Sequence, residues 1–585
     1  MFRRIAPSLL FACVVSGACA RPAGEGASAA PMAGKRVESR SGMVVASHPD
    51  AAAAGAEILR AGGNAMDAFA ATAFALSVTD VSQTGLGGGG ALTYYDARQK
   101  RADHLSFYPR TGGDAAWGMA DTSGGRAPGR AAAVPGLVAG VLEAHQRWGR
   151  LSRAQVMAPA IRLARSGYVV SPLLARSIVS SQRKITADSL ASARFMPDGK
   201  ALRPGDHLVQ PELAATLERI RDLGRPGFYE GPVAEALSAK VKSLGGLITV
   251  QDLKEYDLAE LRPLCTTWHG YTVLGAPPPM GGSAVLEMLQ MAEDIGMKGS
   301  LTSNAESVVR MADILRLAGA DANRWRGDPF VMTVPARGVA SSGFARQRAG
   351  LVGAAVTDTV QPGDAQAFDA AEMPVACAKF DPFPTARAAG TGAGSSMEAV
   401  PYDEHFTQSL TSHLSVIDGE GNAVSATITV GVLFGSGVYT GGFFLNSSGN
   451  NFDARTRGIH RYANSTMSPT MLLDGDKVRL VIGAAGSQYI QPSIVQVTMR
   501  MLEAGEDPWV AIAGPRINAS AVNRDIEVEA GFAPSVYEAL VARGYRPLSR
   551  VGDIMFGGVH AVYVAPDGRR IGVADPRRDG AAAGY

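Results

Sequence analysis

The stretch from Gly390 to Leu410 is polar, aperiodic and rich in small residues, and it runs straight into two strand-like segments. Apolar residues alternate through Leu414 and Val416, a turn follows at Asp418-Gly419-Glu420-Gly421-Asn422, and a second run extends from Ala423 to Val430. Two such runs around that turn chemistry predict a β-hairpin, and the stretch before them predicts a surface loop. Thr411 therefore opens a rigid strand behind a dispensable loop. A cut before it would give one residue both a nucleophilic hydroxyl and a base, the α-amino group, whose reference pKa is roughly 7.7–8.0. A reacting group carried on a rigid element is the placement such chemistry needs.

With 585 residues, 46% hydrophobic and 19% charged, the chain can bury a large core. Its 56 Lys and Arg against 54 Asp and Glu give a formal charge of +2, which offers no electrostatic footprint for nucleic acid or a membrane surface. Arg3 and Arg4 precede an apolar run from Leu9 to Val15 and small residues through Ala20. Residues 1–20 thus predict an export signal, too short to span a bilayer. Two readings of its end stay open: cleavage after Ala18-Cys19-Ala20, or a bacterial lipoprotein signal with Cys19 lipidated, the one route to membrane attachment. Both place the protein in the periplasm or on the outer surface. Only Cys265 and Cys377 remain in the body, too few for a disulfide framework and not spaced for structural zinc; whether they pair is left open.

Residues 21–40 read as a Gly/Ala-rich linker, with the folded body starting near Gly42. Ala51 to Val78 predicts two Ala-rich helices separated by Gly62-Gly63. Further helical stretches lie between Gly136 and Gly167, around Leu213 to Leu223 and around Ala284 to Ile295. The glycine run Gly85-Leu86-Gly87-Gly88-Gly89-Gly90 leads out of a helical region into the strand Ala91-Leu92-Thr93-Tyr94-Tyr95. A nucleotide-phosphate loop joins a strand to the helix after it, so this run predicts close backbone packing instead.

Several stretches in one order carry a resemblance that covers nearly everything after residue 40. They are Ser47-His48-Pro49, Gly62-Gly63-Asn64-Ala65-Met66-Asp67-Ala68, the glycines 87 to 90, Val134-Pro135-Gly136, Gly281-Gly282, Thr411 to Asp418, Met467-Ser468-Pro469-Thr470, Ala574-Asp575-Pro576-Arg577 and Gly584-Tyr585. Together they resemble the γ-glutamyltranspeptidases of the N-terminal nucleophile hydrolase class. The resemblance implies an α+β fold, a four-layer αββα sandwich, made as one precursor that cuts itself between Leu410 and Thr411. A large subunit, 41–410, and a small one, 411–585, would stay together as a heterodimer because both contribute central strands.

The implied chemistry starts with Thr411 attacking the Leu410 carbonyl, an N-to-O acyl shift, and hydrolysis of the ester. The freed Thr411 then attacks a substrate amide, expels an amine and passes the acyl group to water or an acceptor amine. No metal or organic cofactor is needed. Thr429 matches the family threonine that hydrogen-bonds and orients the nucleophile, and Gly486 and Ser487 match the turn whose amides hold the oxyanion.

Substrate groups match only in part. Arg110 lies about two positions from the family arginine that meets the substrate α-carboxylate, and Ser465 and Thr466 match its serine pair. On the ammonium side Gly431 replaces an asparagine, and Asn450 and Asn451 replace acidic residues, leaving Asp453 as the nearest carboxylate. Neutral amides attract an ammonium less than an ion pair does. Three readings follow: a γ-glutamyltransferase or glutathione hydrolase taking small γ-glutamyl substrates; an acylase of the same fold acting on another amide, such as a β-lactam side chain; and a binding protein without catalysis.

Overall fold

The hairpin that opens at Thr411 forms as Ser412–Ile417 paired antiparallel with Ala423–Thr429, Ser412 opposite Ile428 and Ile417 opposite Ala423. Its turn is fastened by Asp418, whose Oδ1 accepts from the amides of Glu420 and Asn422 at 2.9 and 3.0 Å, while Oδ2 accepts from the Ala65 amide at 2.9 Å. The computed structural model describes residues 33–118, 127–298, 300–380, 410–452, 458–551 and 554–585. The expected export signal with Cys19, most of the loop before Leu410, and Asp453 lie outside the described residues.

Two seven-stranded antiparallel sheets face each other. The first has the order Ala581–Gly584, Met43–Ala46, Ser412–Ile417, Ala423–Thr429, Gly89–Asp96, Arg101–Ser106 and Ala259–Leu261. At its centre the two strands that follow the Leu410–Thr411 bond, Ser412–Ile417 and Ala423–Thr429, lie between two that precede it, Met43–Ala46 and Gly89–Asp96. The second has the order Arg36–Ser39, Arg570–Ala574, Gly558–Val564, Lys477–Ala485, Thr470–Asp474, Tyr271–Gly275 and Leu264–Trp268. Helices Pro49–Arg60, Ala65–Thr79 and Leu137–Trp148 cover the outer face of the first sheet, and Gly282–Asp294 and Ile490–Leu502 cover the second, with Arg153–Ser166 and Ala305–Trp325 packed outside them. The fold is the four-layer αββα sandwich.

Strand periodicity sorts the hairpin between these layers. Leu414 and Val416 join the core under the helices, while Ile417 joins Met43, Val45, Val481 and Val562 between the sheets. Beyond Ile417 and Ala423 that inner face is polar and paired. Nδ1 of His413 lies 2.8 Å from Thr427 Oγ1, its Nε2 lies 3.1 Å from Ser415 Oγ, and Ser415 Oγ donates to the His560 carbonyl at 3.0 Å. Burial pushes His413 well below the usual imidazole range and His560 down to about 3, so both are neutral; buried polar groups persist where partners are present.

The motif 62 to 68 separates the two Ala-rich helices by a cap. Gly62 has φ of +92°, and Asn64 accepts from the amides of Met66 and Asp67, with Asp67 returning a bond to the Asn64 amide. That reciprocal pair is a capping box. The glycine run is packed backbone to backbone. A Cβ on Gly88 would lie 2.3 Å from the Thr429 carbonyl oxygen, and one on Gly90 2.4 Å from that of Thr427. Gly88→Ala should consequently lower stability by about 1–3 kcal/mol, seen as a fall in melting temperature, and slow chain cleavage by displacing Thr429. An unchanged melting temperature would contradict the close approach.

The linker expected over 21–40 ends earlier than the sequence suggests. Arg36–Ser39 is an edge strand on Arg570–Ala574, and buried Lys35 donates to the Gly580 carbonyl at 2.6 Å and to that of Asp575 at 3.3 Å. Four residues with no apolar run gave no local sign of a partner more than 500 residues away. Cys265 and Cys377 form a disulfide that ties the edge strand Leu264–Trp268 to the turn Val375–Phe380.

Candidate active site

Leu410, Thr411 and Thr429 meet at the end of the hairpin because its register sets Ser412 opposite Ile428. The Thr429 hydroxyl donates to the Leu410 carbonyl at 2.9 Å and accepts from the Gly431 amide at 2.8 Å and from the Thr411 hydroxyl at 3.5 Å. One donor and two lone pairs are all used. The Leu410 amide donates to the Gly431 carbonyl at 3.1 Å. The peptide bond before Thr411 is thereby held from both sides, its carbonyl accepting from the Thr429 hydroxyl, which in turn accepts from the Thr411 hydroxyl. All three side chains are buried.

A brace unseen in the sequence supports this end. Asp80, directly after Ala65–Thr79, accepts from Ser412 Oγ and from Gln83 Nε2, both at 2.6 Å. Gln83 Oε1 accepts from Arg578, whose Nη1 is also 3.5 Å from the Thr411 carbonyl, and the Gln83 carbonyl accepts from the Val430 amide at 2.9 Å. The residues flanking both threonines are therefore fixed by one helix end and one C-terminal arginine. Burial pushes the Asp80 carboxyl up to about 7, against the opposing pull of its bonds from Ser412 and Gln83. An acid raised on folding gives stability that is full below its unfolded value, near 4, and is lost as pH rises through the folded value. Thermal melts of wild type and Asp80→Asn should show the wild type losing ground to the variant between about pH 4 and 7. A pH-independent difference would contradict a protonated buried Asp80.

Gly486 and Ser487 lie at the end of Lys477–Ala485 and begin the turn into the helix Ile490–Leu502. Ala485 pairs with Gly558, which packs on the Arg578 side chain, and Arg578 reaches Thr411. The turn is thus at the same end of the inter-sheet space as Thr411. Ser487 has φ of +54°, so it holds the left-handed conformation a glycine would adopt there. Among the described residues, neither Gly486 nor Ser487 is hydrogen-bonded to Leu410 or Thr411.

The expected substrate residues form a second group. Tyr108, buried and missed in the sequence, accepts from Asn451 Nδ2 at 3.0 Å, and its hydroxyl also meets Ser448 and Ser465. Ser465 Oγ accepts from the Met467 amide at 3.2 Å; Thr466 is half-buried, and Asn450 is exposed at the end of Ser448–Asn450. Arg110 points its guanidinium at the Glu255 carbonyl and over the Tyr256 ring, 5.3 Å from its centre. Among the described residues no hydrogen bond joins this group to Thr411. Gly431 has φ of +91°, and a Cβ there would lie 2.2 Å from Ser447 Oγ, which itself accepts from the Val432 amide at 3.1 Å. The serine hydroxyl fills the space an asparagine at 431 would need.

Comparison with known proteins agrees with this architecture. The chain is 31% identical to a glutathione hydrolase proenzyme of Bacillus subtilis (strain 168), over 93% of this chain and 92% of that one. It is 32% identical to an acylase ACY 1 proenzyme of Pseudomonas sp. (strain SE83), over 92% of each. The crystal structure of a cephalosporin acylase from Bacillus halodurans superposes with a TM-score of 0.80 at 26% identity, covering 96% of this chain and 99% of that one. The family model for gamma-glutamyltranspeptidase matches residues 51–585, and with Thr411 presented at the end of a central strand of an αββα sandwich, this chain is an enzyme that belongs to the gamma-glutamyltranspeptidase family.

Proposed function

We propose that the protein is an exported, self-processing amidohydrolase and acyltransferase that cleaves γ-glutamyl amides through an acyl-Thr411 intermediate. The observation that carries this reading is the Thr429 hydroxyl, which donates to the Leu410 carbonyl while accepting from Thr411. In the precursor, Thr411 Oγ1 attacks the Leu410 carbonyl carbon as Thr429 steadies the developing oxyanion. The C–N bond breaks, an ester forms at Thr411, and water hydrolyses it to leave Leu410 as a carboxylate and Thr411 as a free amine. That amine then serves as the base when the same oxygen attacks a substrate amide. The leaving amine takes up the proton, and water or an acceptor amine resolves the ester. The amides of Gly486 and Ser487, at the start of a helix, are suited to the substrate oxyanion, and Ser465, Thr466, Asn451 and Arg110 are the groups assigned to the acyl chain. The sequence of residues 1–20 supports export to the periplasm or outer surface.

One observation favours a second reading, an acylase acting on acyl groups without an α-ammonium. At Gly431 the position for an ammonium-binding side chain is closed by Ser447, and the described residues beside it, Asn450 and Asn451, are neutral. Initial rates on γ-glutamyl-p-nitroanilide and glutaryl-p-nitroanilide separate the two. Faster turnover of the γ-glutamyl compound supports the first reading, and faster turnover of the glutaryl compound replaces it with the second. Hydrolysis of neither by correctly cut protein overturns both.

A further inference from the structure

The loop that follows Thr429 is bent against the preference of its own residues. Gly431, Gly435 and Gly437 have φ of +91°, +53° and +84°, and Phe434, between them, has φ of +56° although it is not a glycine. A bulky residue keeps that left-handed conformation only where its surroundings impose it. Three contacts do so here. The Phe434 ring is fully buried against Phe195 and Phe444, with ring centres 5.9 and 5.1 Å away. Its amide donates to the Ser82 carbonyl at 2.8 Å. Lys184 Nζ donates to the carbonyls on either side, to Leu433 at 2.6 Å and to Gly435 at 2.8 Å. Among the described residues no other hydrogen bond reaches either oxygen.

Lys184 sits on the short helix Gln182–Ile185, half-buried and with no carboxylate partner among the described residues. The charged groups on this helix and on its neighbours Pro172–Ser180 and Ser189–Phe195 are Arg176, Arg183 and Arg194, with Asp188 at the start of the last. Asp188 is 2.6 Å from Lys240, and Arg194 is 2.7 Å from Glu212. The loop 431–437 carries no charged side chain, and burial keeps Tyr439, just beyond it, neutral. Burial alone acts on Lys184 and pushes it down to about 8. The two carbonyls are thus what holds the ammonium, and a charge-assisted bond is about twice as strong as a neutral one.

The pinned loop begins at Gly431, which bonds both halves of the centre: its amide donates to the Thr429 hydroxyl and its carbonyl accepts from the Leu410 amide. We propose that Lys184 is a positioning residue for the chemistry of Thr411, its ammonium fixing the loop 431–437 around Phe434 and so keeping Gly431 where it aligns Thr429 with the Leu410–Thr411 bond. Lys184 acts through Gly431 and touches neither that bond nor a substrate. The assignment rests on the reading of Thr411 as the nucleophile that cuts the chain.

The test follows loss of the full-length precursor on denaturing gels at two pH values. At pH 7 Lys184→Gln, which keeps a donor without the charge, should cut about tenfold more slowly than wild type, and Lys184→Arg, which keeps the charge, should stay within about threefold. At pH 9 most of the wild-type lysine is neutral, so its advantage over Lys184→Gln should shrink to about twofold. Groups that titrate at the centre itself act on both proteins alike and cancel from the ratio. A ratio that does not change with pH, the mark of packing alone, would overturn the proposal, and so would equal rates at pH 7. If Lys184→Gln does not fold, the ratio of wild type to Lys184→Arg reads the same titration and should fall about fivefold from pH 7 to 9, because the guanidinium stays charged; a flat ratio there would also overturn it. A wild-type chain that never cuts itself would overturn the reading of Thr411, and this assignment with it.

Discussion

The Thr411→Ala protein should remain a single chain and lose amide hydrolysis by about 10⁴-fold or more, the scale on which nucleophile removal acts in hydrolases. Both effects come from one oxygen. Without Oγ1 nothing attacks the Leu410 carbonyl, so the α-amine is never released and the substrate meets neither nucleophile nor base. The fold should survive, because the strand Ser412–Ile417 is held by pairing on both edges and by the turn bonds of Asp418. Thr411→Ser retains the hydroxyl and should still cut. A denaturing gel reads the first effect and chromophore release from the p-nitroanilides reads the second. Two chains from the Thr411→Ala protein would place the nucleophile elsewhere.

Thr429→Val should slow chain cleavage by about 10²–10³-fold, as expected when one oxyanion donor is lost. Valine matches threonine in shape but not in polarity. It leaves the Leu410 carbonyl without its donor at 2.9 Å and the Gly431 amide without its acceptor at 2.8 Å. An orphaned buried amide costs about 1–3 kcal/mol, so the melting temperature should fall as well. Thr429→Ser separates the two causes: it restores the hydroxyl and should bring the rate back most of the way. The time course of precursor loss during incubation measures this. A wild-type rate in Thr429→Val would mean that the hydroxyl does not polarise the bond.

What was legible in the sequence was local. Alternation through Leu414 and Val416 and the turn at Asp418 to Asn422 predicted the strands Ser412–Ile417 and Ala423–Thr429, and Gly62-Gly63 marked the break between Pro49–Arg60 and Ala65–Thr79. The glycine run was legible as packing, because a run leading into a strand leaves no helix N-terminus for phosphate. What was not legible depends on distant partners. Asp80 reaches Ser412 across 332 positions, Arg578 reaches Gln83 across 495, and Tyr108 reaches Asn451 across 343. None of these side chains has a periodicity or local motif that announces its partner. The edge strand Arg36–Ser39 was hidden for the same reason. Arg110 shows a related limit: its offset of about two positions from the family arginine was readable, but its direction is set by Glu255 and Tyr256.

The interleaving of strands also bears on what a cut would do. Ser412–Ile417 lies between Met43–Ala46 and Ala423–Thr429, and the latter pairs in turn with Gly89–Asp96. Breaking the Leu410–Thr411 bond removes none of these ladders, so the two products should copurify and separate only on denaturation.

If Thr411 itself cuts the bond before it, amino-terminal sequencing of the smaller chain from purified protein should read a fragment spanning residues 411–585 that begins Thr-Ser-His-Leu. A chain that stays intact on prolonged incubation, or a smaller fragment that begins at any other residue, would contradict self-cleavage at this bond.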